Sequence, residues 1–217
     1  MKISDRIKGF TLKQMYAYLD KDPDTNIPKL LDYLEKSDKD GQGVTDQIEN
    51  IRKVISDPSS NWYRLIKSLW TDIDAEQRKA LVETAVVNGS LIGTPETMRW
   101  QDKYQCNVPW AILMDPTSAC NLHCTGCWAA EYGNKLNLSF DELDSIIRQG
   151  KEMGTYVYIY SGGEPLVRKD DLIRLCEKHS DCAFLAFTNG TLIDDKFADE
   201  MLRVHNFVPA ISIVGFE

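Results

Sequence analysis

Four short apolar runs alternate with segments of helical periodicity in the second half of this chain, and that alternation limits the folds open to it. The runs lie at residues 110–115, 156–160, 184–187 and 208–214. Between them, apolar residues recur at helical spacing: Leu143 and Ile147, Leu172 and Cys176, Phe197 and Met201. A strand–helix–strand order predicts parallel strands joined by right-handed crossovers. The sequence therefore predicts an α/β fold for this half.

The first hundred residues show helical periodicity alone. Apolar residues repeat at helical spacing in runs at 12–19, 27–34, 48–55, 62–69 and 81–86. Turn signals separate or end these runs: Asp22-Pro23, Gly41-Gln42-Gly43, Asp57-Pro58-Ser59-Ser60 and Gly89-Ser90. We therefore predict an all-α N-terminal domain with its linker over residues 1–105 and a second domain over residues 106–217. The stretch Gly93–Pro109 is predicted to connect the two.

Two residue pairs have the spacing of helix-capping pairs. Asp74 with Gln77, and Ser139 with Glu142, each place an N-cap residue three positions before an amide or carboxylate side chain. Each pair predicts the first turn of a helix.

Three cysteines follow the first apolar run within eight residues, and residues 120–127 are called the cysteine loop below. Cys120, Cys124 and Cys127 are separated by three residues and then by two. A four-iron cluster normally takes four thiolates, so three leave one iron open for a small-molecule ligand. With His123, the same residues also match a structural zinc site of the Cys3His type. The spacing by itself leaves both readings open.

Polar or glycine-rich segments also follow the other apolar runs. The second run ends in Ser161-Gly162-Gly163-Glu164-Pro165, the third ends in Thr188-Asn189-Gly190, and the fourth contains Ser212. Glycines let a backbone approach a ligand closely, and Glu164 offers a carboxylate able to accept hydrogen bonds from an ammonium group. Because ligand sites lie at the carboxyl ends of parallel strands, we expect these segments to share one site with the cysteine loop.

Taken in this order, the four elements resemble the radical S-adenosylmethionine (radical SAM) enzymes. The similarity is greatest to the branch that contains the molybdenum-cofactor, nitrogenase-cofactor and peptide-maturation enzymes. The resemblance covers about the second half of the chain. It implies a partial (β/α)6 TIM-like barrel, of which the first four strands are present, preceded by the all-α domain.

The resemblance also implies a cofactor set. The three cysteines of the cysteine loop would bind a [4Fe-4S] cluster, whose open iron would take the amino and carboxylate groups of S-adenosylmethionine. Gly163 and Glu164 would hold the methionine part of that molecule, and Ser212 would lie near its ribose or amino-acid part. One electron would then cleave a carbon–sulfur bond to give a 5′-deoxyadenosyl radical that abstracts hydrogen from a substrate. The electron would come from a reductant such as flavodoxin or ferredoxin.

The chain departs from the family pattern at two positions. The family usually has an aromatic residue just before the third cysteine, where this chain has Gly126, whose backbone is expected to contact the adenine region. Trp128 and Tyr132 are candidates to replace the missing ring. Relatives often have an acidic residue at the position of Val214 in the fourth strand.

The family's barrel has six strand–helix units, and this sequence contains four strands. We therefore expect it to be a fragment that is inactive by itself and that associates through its fourth strand.

Composition favours a cytoplasmic protein without nucleic-acid or membrane partners. The net charge of −8 lacks the basic excess that nucleic-acid binding usually needs, and the N-terminus has no apolar signal segment. Among the six cysteines, Cys106, Cys176 and Cys182 are scattered, and Cys176 is predicted to be a reduced, buried thiol.

The sequence thus predicts a radical SAM enzyme that acts on an unidentified substrate. Two alternatives stay open. One is a zinc-stabilised Cys3His interaction module without catalysis, and the other is a fragment that binds a cluster without activity.

Overall fold

The computed structural model describes residues 14–37, 45–127, 129, 133 and 135–213, without the side chains of residues 33–37, 45–48 and 91. Contacts divide the chain into two compact units, one formed by Phe10–Arg78 and the other built around Lys79–Glu217. The predicted turn at Gly41-Gln42-Gly43 lies outside the described residues.

The first unit is helical. Residues 14–21 form α1, and α2 (Pro23–Ser37), α3 (Thr45–Ile55) and α4 (Asn61–Thr71) follow it. The turn predicted at Asp57–Ser60 is present, and Ser60 caps α4 by accepting a hydrogen bond from the Tyr63 amide. Helix α5 (Ala75–Leu81) begins after Asp74, whose carboxylate accepts from the Glu76 and Gln77 amides at 3.0 Å. The predicted cap at Asp74 is therefore confirmed.

A π-helix (Val82–Ile92) and α6 (Gly93–Tyr104) continue the chain without a turn. The turn predicted at Gly89-Ser90 is wrong, because these residues lie inside the π-helix. Gly89 serves close packing instead, since a Cβ there would come within 3.3 Å of Val157. The stretch predicted as a linker begins with α6.

These two helical segments pack against the end of the sheet where the strands begin. The Asn88 amide donates to the Asp181 carbonyl at 2.8 Å, and the Trp100 indole donates to the Glu152 carbonyl at 3.0 Å. By their contacts, residues 79–104 therefore belong to the unit that contains the sheet. The sequence analysis instead placed residues 1–105 together in the N-terminal domain and its linker. As a boundary between independently folding domains, residue 105 stays a prediction.

The second unit is built on a parallel sheet, which confirms the predicted α/β class. Its strands are β1 (Ala111–Met114), β2 (Val157–Tyr160), β3 (Ala183–Thr188) and β4 (Phe207–Ile211). They pair in chain order β1-β2-β3-β4, each parallel to the next. This is the arrangement of four successive strands of a (β/α) barrel. The fourth strand starts one residue earlier than predicted and ends at Ile211, before Ser212.

Helices α7 (Phe140–Glu152), α8 (Lys169–Lys178) and α9 (Asp195–Val204) connect these strands, and a 3-10 turn (Pro165–Arg168) precedes α8. The predicted capping box is confirmed, because the Ser139 hydroxyl accepts from the Glu142 amide while the Glu142 carboxylate accepts from the Ser139 amide. One face of the sheet buries aromatic side chains against these helices, with Tyr160 and Phe184 stacked at 5.8 Å. The opposite face is open, and Leu113 and Phe187 on it are 58% and 48% exposed.

In the part of the chain that the structure describes, no helix is both long enough and apolar enough to cross a membrane. The cytoplasmic location stays a prediction.

Asn206 is the buried polar residue that joins α8 to the start of β4. Its side-chain amide lies near three carbonyl oxygens, those of Cys176, His179 and Cys182, at 3.0 to 3.2 Å. We expect Asn206→Ala to lower the free energy of unfolding by about 2 kcal/mol, because it leaves buried carbonyls without a donor. Urea unfolding measures the change. Asn107→Ala, at an exposed position, is the control and should stay within about 0.5 kcal/mol of the parent chain. Equal effects of the two substitutions would contradict the assignment.

Candidate active site

The cysteine loop lies at the carboxyl end of β1. Cys120 and Cys124 are exposed and Cys127 is half-buried, and all three are reduced. The Cys127 amide donates to the Cys124 carbonyl at 3.2 Å and closes a short turn, while the Leu122 amide donates to the Cys120 sulfur at 3.5 Å. The three thiols are therefore presented to solvent by one loop with partly fixed backbone.

The remaining cysteines differ from these three. Cys176 and Cys182 are fully buried, and burial raises the pKa of both thiols, which disfavours the thiolate that binds metals. The prediction of a reduced, buried Cys176 is confirmed. Cys106 is exposed but lies before β1, outside the cysteine loop.

The segment before the cysteine loop is bonded to the glycine-rich end of β2. The Gly163 amide donates to the Thr117 carbonyl at 3.0 Å, and the Glu164 amide donates to the Ala119 carbonyl at 2.8 Å. Only glycine fits at position 163, because a Cβ there would lie 2.3 Å from the Ala119 carbonyl oxygen. Gly162 and Gly163 together are called the glycine cradle from here on. Their close contacts fix the backbone that leads into Cys120.

The segment after the cysteine loop folds back on the same residues. The Ser118 amide donates to the Leu136 carbonyl at 2.8 Å, and the Thr117 hydroxyl donates to the Asn137 side chain at 2.6 Å. An antiparallel bridge joins Thr117 to Asn137. The cysteine loop is therefore fixed on both flanks.

Glu164 is buried inside the site. Its side chain is about 1% exposed, and both carboxylate oxygens accept hydrogen bonds from the protein. Oε1 accepts from the Leu166 amide at 3.0 Å and the Thr188 hydroxyl at 2.7 Å, and Oε2 accepts from the Asn189 amide at 2.8 Å. The carboxylate therefore connects the end of β2 to the end of β3.

Asn189 extends this connection to the cysteine loop. Its side-chain amide donates to the Asn121 oxygen at 3.0 Å, and the Asn121 amide in turn donates to the Thr191 hydroxyl at 2.8 Å. The sequence analysis did not predict a role for Asn121 or Thr191. Their positions in the sequence could have indicated such a role, because Asn121 follows Cys120 directly and Thr191 follows Thr188-Asn189-Gly190.

A cavity of about 600 Å³ opens beside the glycine cradle on the open face of the sheet. Asp115, Ser118 and the two cradle glycines form its polar side, while Leu113 and Leu136 line its apolar side. Asp115, which the sequence analysis also passed over, is exposed within it. A small ligand placed there would contact the segment that leads into the cysteine loop.

The other predicted cofactor-binding residues lie at the same edge of the sheet. Ser212 is exposed just past β4, and its amide donates to the Thr188 carbonyl at 2.8 Å. Gly126 forms part of a turn inside the cysteine loop with φ of 75°, and no described residue lies within 4 Å of a Cβ built on it. Trp128, Tyr132 and Val214 lie outside the described residues.

Among the described residues, no group of three or more His, Cys, Asp or Glu side chains converges as a ready-made metal site. The cysteine loop nevertheless suits a metal cluster that is supplied separately from the chain. It offers three accessible thiols within eight residues, between two flanks fixed by hydrogen bonds, and a backbone amide already points at one sulfur.

A family model described as the radical SAM superfamily matches residues 114–217. The match begins at the last residue of β1 and includes the cysteine loop, the glycine cradle and the ends of β3 and β4.

Relatives with assigned names match the same half of the chain. Fe-coproporphyrin III synthase from Methanosarcina barkeri is 33% identical over 110 residues, which cover 48% of this chain and 27% of that protein. GTP 3′,8-cyclase from Clostridium perfringens is 28% identical over 103 residues, 44% of this chain and 32% of that protein. This chain thus spans about a quarter to a third of the length of these curated relatives.

Among solved structures, SuiB from Streptococcus suis, bound to its precursor peptide SuiA, aligns with a TM-score of 0.46 at 22% identity. The alignment covers 56% of this chain and 28% of that one. A second structure of SuiB, bound to S-adenosylmethionine, has the same TM-score at 20% identity. The family model describes radical SAM proteins and not a zinc-stabilised module.

Gly163→Ala tests whether the glycine cradle fixes the cysteine loop. The added methyl group would collide with the Ala119 carbonyl oxygen and displace the residue before Cys120. We expect metal retention by the loop to fall at least several-fold, measured as iron bound after anaerobic reconstitution and gel filtration. Asn107→Ala is the control, because Asn107 is exposed and lies before β1, outside the cysteine loop. Equal losses in both variants would show that the collision is not the cause.

Proposed function

Residues 114–217 of this chain belong to the radical SAM superfamily, and on that premise we propose that the chain binds a [4Fe-4S] cluster through Cys120, Cys124 and Cys127 and takes S-adenosylmethionine as its second cofactor. The observation that carries the proposal is the cysteine loop itself. Its three thiols are exposed or half-buried at the carboxyl edge of a parallel sheet, and both its flanks are hydrogen-bonded to that edge. When bound, such a cluster would supply the electron that cleaves S-adenosylmethionine to methionine and a 5′-deoxyadenosyl radical.

The protein's own contribution is position. The Gly163 amide holds Thr117 beside the cavity, and the absence of a Cβ lets the Ala119 backbone pass close to Gly163. Ser212 and Gly126 border the same edge and are proposed to contact the ribose or amino-acid part and the adenine region, respectively. Glu164 belongs to this binding set through the hydrogen bonds that connect the ends of β2 and β3.

Leu113 and Leu136 line the apolar side of the cavity on the open face of the sheet, and both are exposed in this structure. A bound substrate that covered them would shield a reactive carbon from water. Excluding water prevents side reactions and strengthens the electrostatic interactions within a site. We propose that the hydrogen-donating substrate approaches from this face.

The substrate itself is left unassigned. By their names, one relative makes an iron porphyrin and the other cyclises GTP, which are chemically unlike reactions. We propose that the cofactor site is what they share with this chain. The electron donor is proposed to be a reduced flavodoxin or ferredoxin.

Iron binding tests the cluster. Anaerobic reconstitution with iron and sulfide should give a brown protein with about four irons per chain. Cys124→Ala should lose most of this iron, because too few thiolates remain to hold the cluster. Cys106→Ala is the matched control, since Cys106 is also exposed but lies outside the cysteine loop. Loss of the cluster in the control would reveal a fourth protein ligand, and tightly bound zinc without iron would favour the zinc module.

Ligand binding tests the second cofactor. The reconstituted chain should bind S-adenosylmethionine at least tenfold more tightly than the iron-free chain, because the open iron contributes direct bonds to the ligand. Equilibrium dialysis under anaerobic conditions measures both affinities. Equal affinity with and without iron would contradict a cluster that binds S-adenosylmethionine, even if the cluster itself assembles.

A further inference from the structure

Arg168, at the end of the 3-10 turn that follows β2, bonds to both flanks of the cysteine loop. Its Nη1 atom donates to the Pro116 carbonyl at 3.2 Å and to the Leu138 carbonyl at 2.8 Å. Pro116 precedes the cysteine loop in the chain and Leu138 follows it. Arg168 with these two hydrogen bonds is called the arginine clamp below, because one side chain reaches both ends of the segment that carries the thiols.

The two flanks meet at the arginine clamp. The Leu138 amide donates to the Pro116 carbonyl at 3.1 Å, so that one oxygen accepts from the opposite flank and from Arg168. The Leu138 carbonyl accepts from Arg168 in turn. The segment between Pro116 and Leu138 is thus closed at its base by backbone pairing and by the guanidinium group together.

Asp171 on α8 orients the guanidinium group. Its Oδ2 atom accepts from Nε of Arg168 at 2.9 Å and from Nη2 at 2.6 Å, which leaves Nη1 directed at the two carbonyls. The two side chains are 20% and 25% exposed, so the pair is partly shielded from solvent and from salt. A guanidinium group presents its donors in a rigid planar fork, whereas a lysine ammonium group is a compact charge on a flexible stem. Arginine can therefore bond to the carboxylate and to both carbonyls at once.

The glycine cradle does not fix the second flank directly. The Gly163 amide donates to the Thr117 carbonyl, which belongs to the flank before the cysteine loop. The flank after the loop is joined to the first by the bridge between Thr117 and Asn137, and Arg168 adds a direct bond to it at Leu138. The cradle and the arginine clamp therefore act on different parts of the same loop.

We propose that Arg168 is a positioning residue for the cluster, because the arginine clamp holds the cysteine loop closed before any metal is bound. Fixing a binding loop in advance raises its affinity, since less ordering remains to be done when the ligand binds. The inference rests on the proposed function for the identity of the bound group. The arginine clamp itself belongs to the metal-free chain and is tested there first.

The test substitution is Arg168→Met, which removes the donors and keeps an apolar stem. Arg174→Met is the matched control. Arg174 also donates to Asp171, at 3.0 Å, but its side chain is 60% exposed and lies over the Phe140 ring, and within the described residues it bonds to neither flank of the cysteine loop. Asn206→Ala is a second control, because it is expected to lower the free energy of unfolding at the opposite end of the sheet.

Trypsin cleavage after Lys135 measures opening of the loop in the metal-free chain. Lys135 is exposed, and the amide and carbonyl of Leu136 are both bonded to Ser118, so this flank must open locally before the peptide bond is cut. The assay is run where urea unfolding shows every variant to be fully folded. We expect cleavage at this bond to be at least several-fold faster in Arg168→Met than in the parent chain or in either control.

Iron retention and the electron paramagnetic resonance spectrum of the reduced cluster are then measured on the reconstituted chains. Arg168→Met should retain several-fold less iron after gel filtration and should show a changed spectrum, while both controls should resemble the parent chain. Arg168→Lys keeps the charge without the planar fork, so its cleavage rate and iron retention should fall between those of the parent chain and Arg168→Met.

Each contrary result removes a stated part of the inference. Cleavage of Arg168→Met at the parent rate overturns the arginine clamp, and equal effects in Asn206→Ala overturn it by showing that lost stability is the cause. Faster cleavage with iron retention like that of the parent chain overturns the positioning role. Full recovery in Arg168→Lys overturns the role of the planar fork. If the parent chain itself holds no iron, the proposed function fails, while the cleavage rates still decide whether the arginine clamp exists.

Discussion

The buried carboxylate of Glu164 is the interaction on which the rest of the site depends. It lies where the ends of β2 and β3 meet and accepts three hydrogen bonds there. Through Asn189 and Asn121 the same network reaches the cysteine loop. A charge so deeply buried is tolerated only when donors surround it, so the loops that supply the donors are fixed with it. The position of the cysteine loop is thus linked to this buried carboxylate by hydrogen bonds.

The parallel sheet makes this network possible. Parallel strands bring their carboxyl ends to one edge, so segments far apart in sequence become neighbours there. Gly163 adds a second constraint, because the backbone before Cys120 passes too close to it for any side chain. The opposite end of the sheet is packed against residues 82–104, where Gly93 and Gly154 also meet too closely for a Cβ on either residue. One end of the sheet is therefore closed by packing, while the other carries the polar groups and the cavity.

Much of this arrangement could be predicted from local pattern. Hydrophobic periodicity located the four strands, and the caps at Asp74 and Ser139 follow from short-range hydrogen bonding. One error arose at a residue that makes a distant contact. Gly89-Ser90 was predicted as a turn, but both residues lie in the π-helix, where a Cβ on Gly89 would come within 3.3 Å of Val157. The predicted connection over Gly93–Pro109 begins with a helix, Gly93–Tyr104, whose contacts with the sheet unit leave no mark on its own sequence.

The sequence by itself determined the chemistry and the order of the site: three thiols on one loop, then a glycine cradle and polar strand ends. Those features depend on residue type and spacing, which are local. Only the tertiary structure decided which polar groups remain available. Glu164 and Asp115 are both acidic residues at strand ends, and spacing cannot distinguish them. Burial and long-range donors satisfy Glu164 and leave Asp115 facing the cavity, because hydrogen-bond partners and exposure are set by the packing of segments distant in the chain.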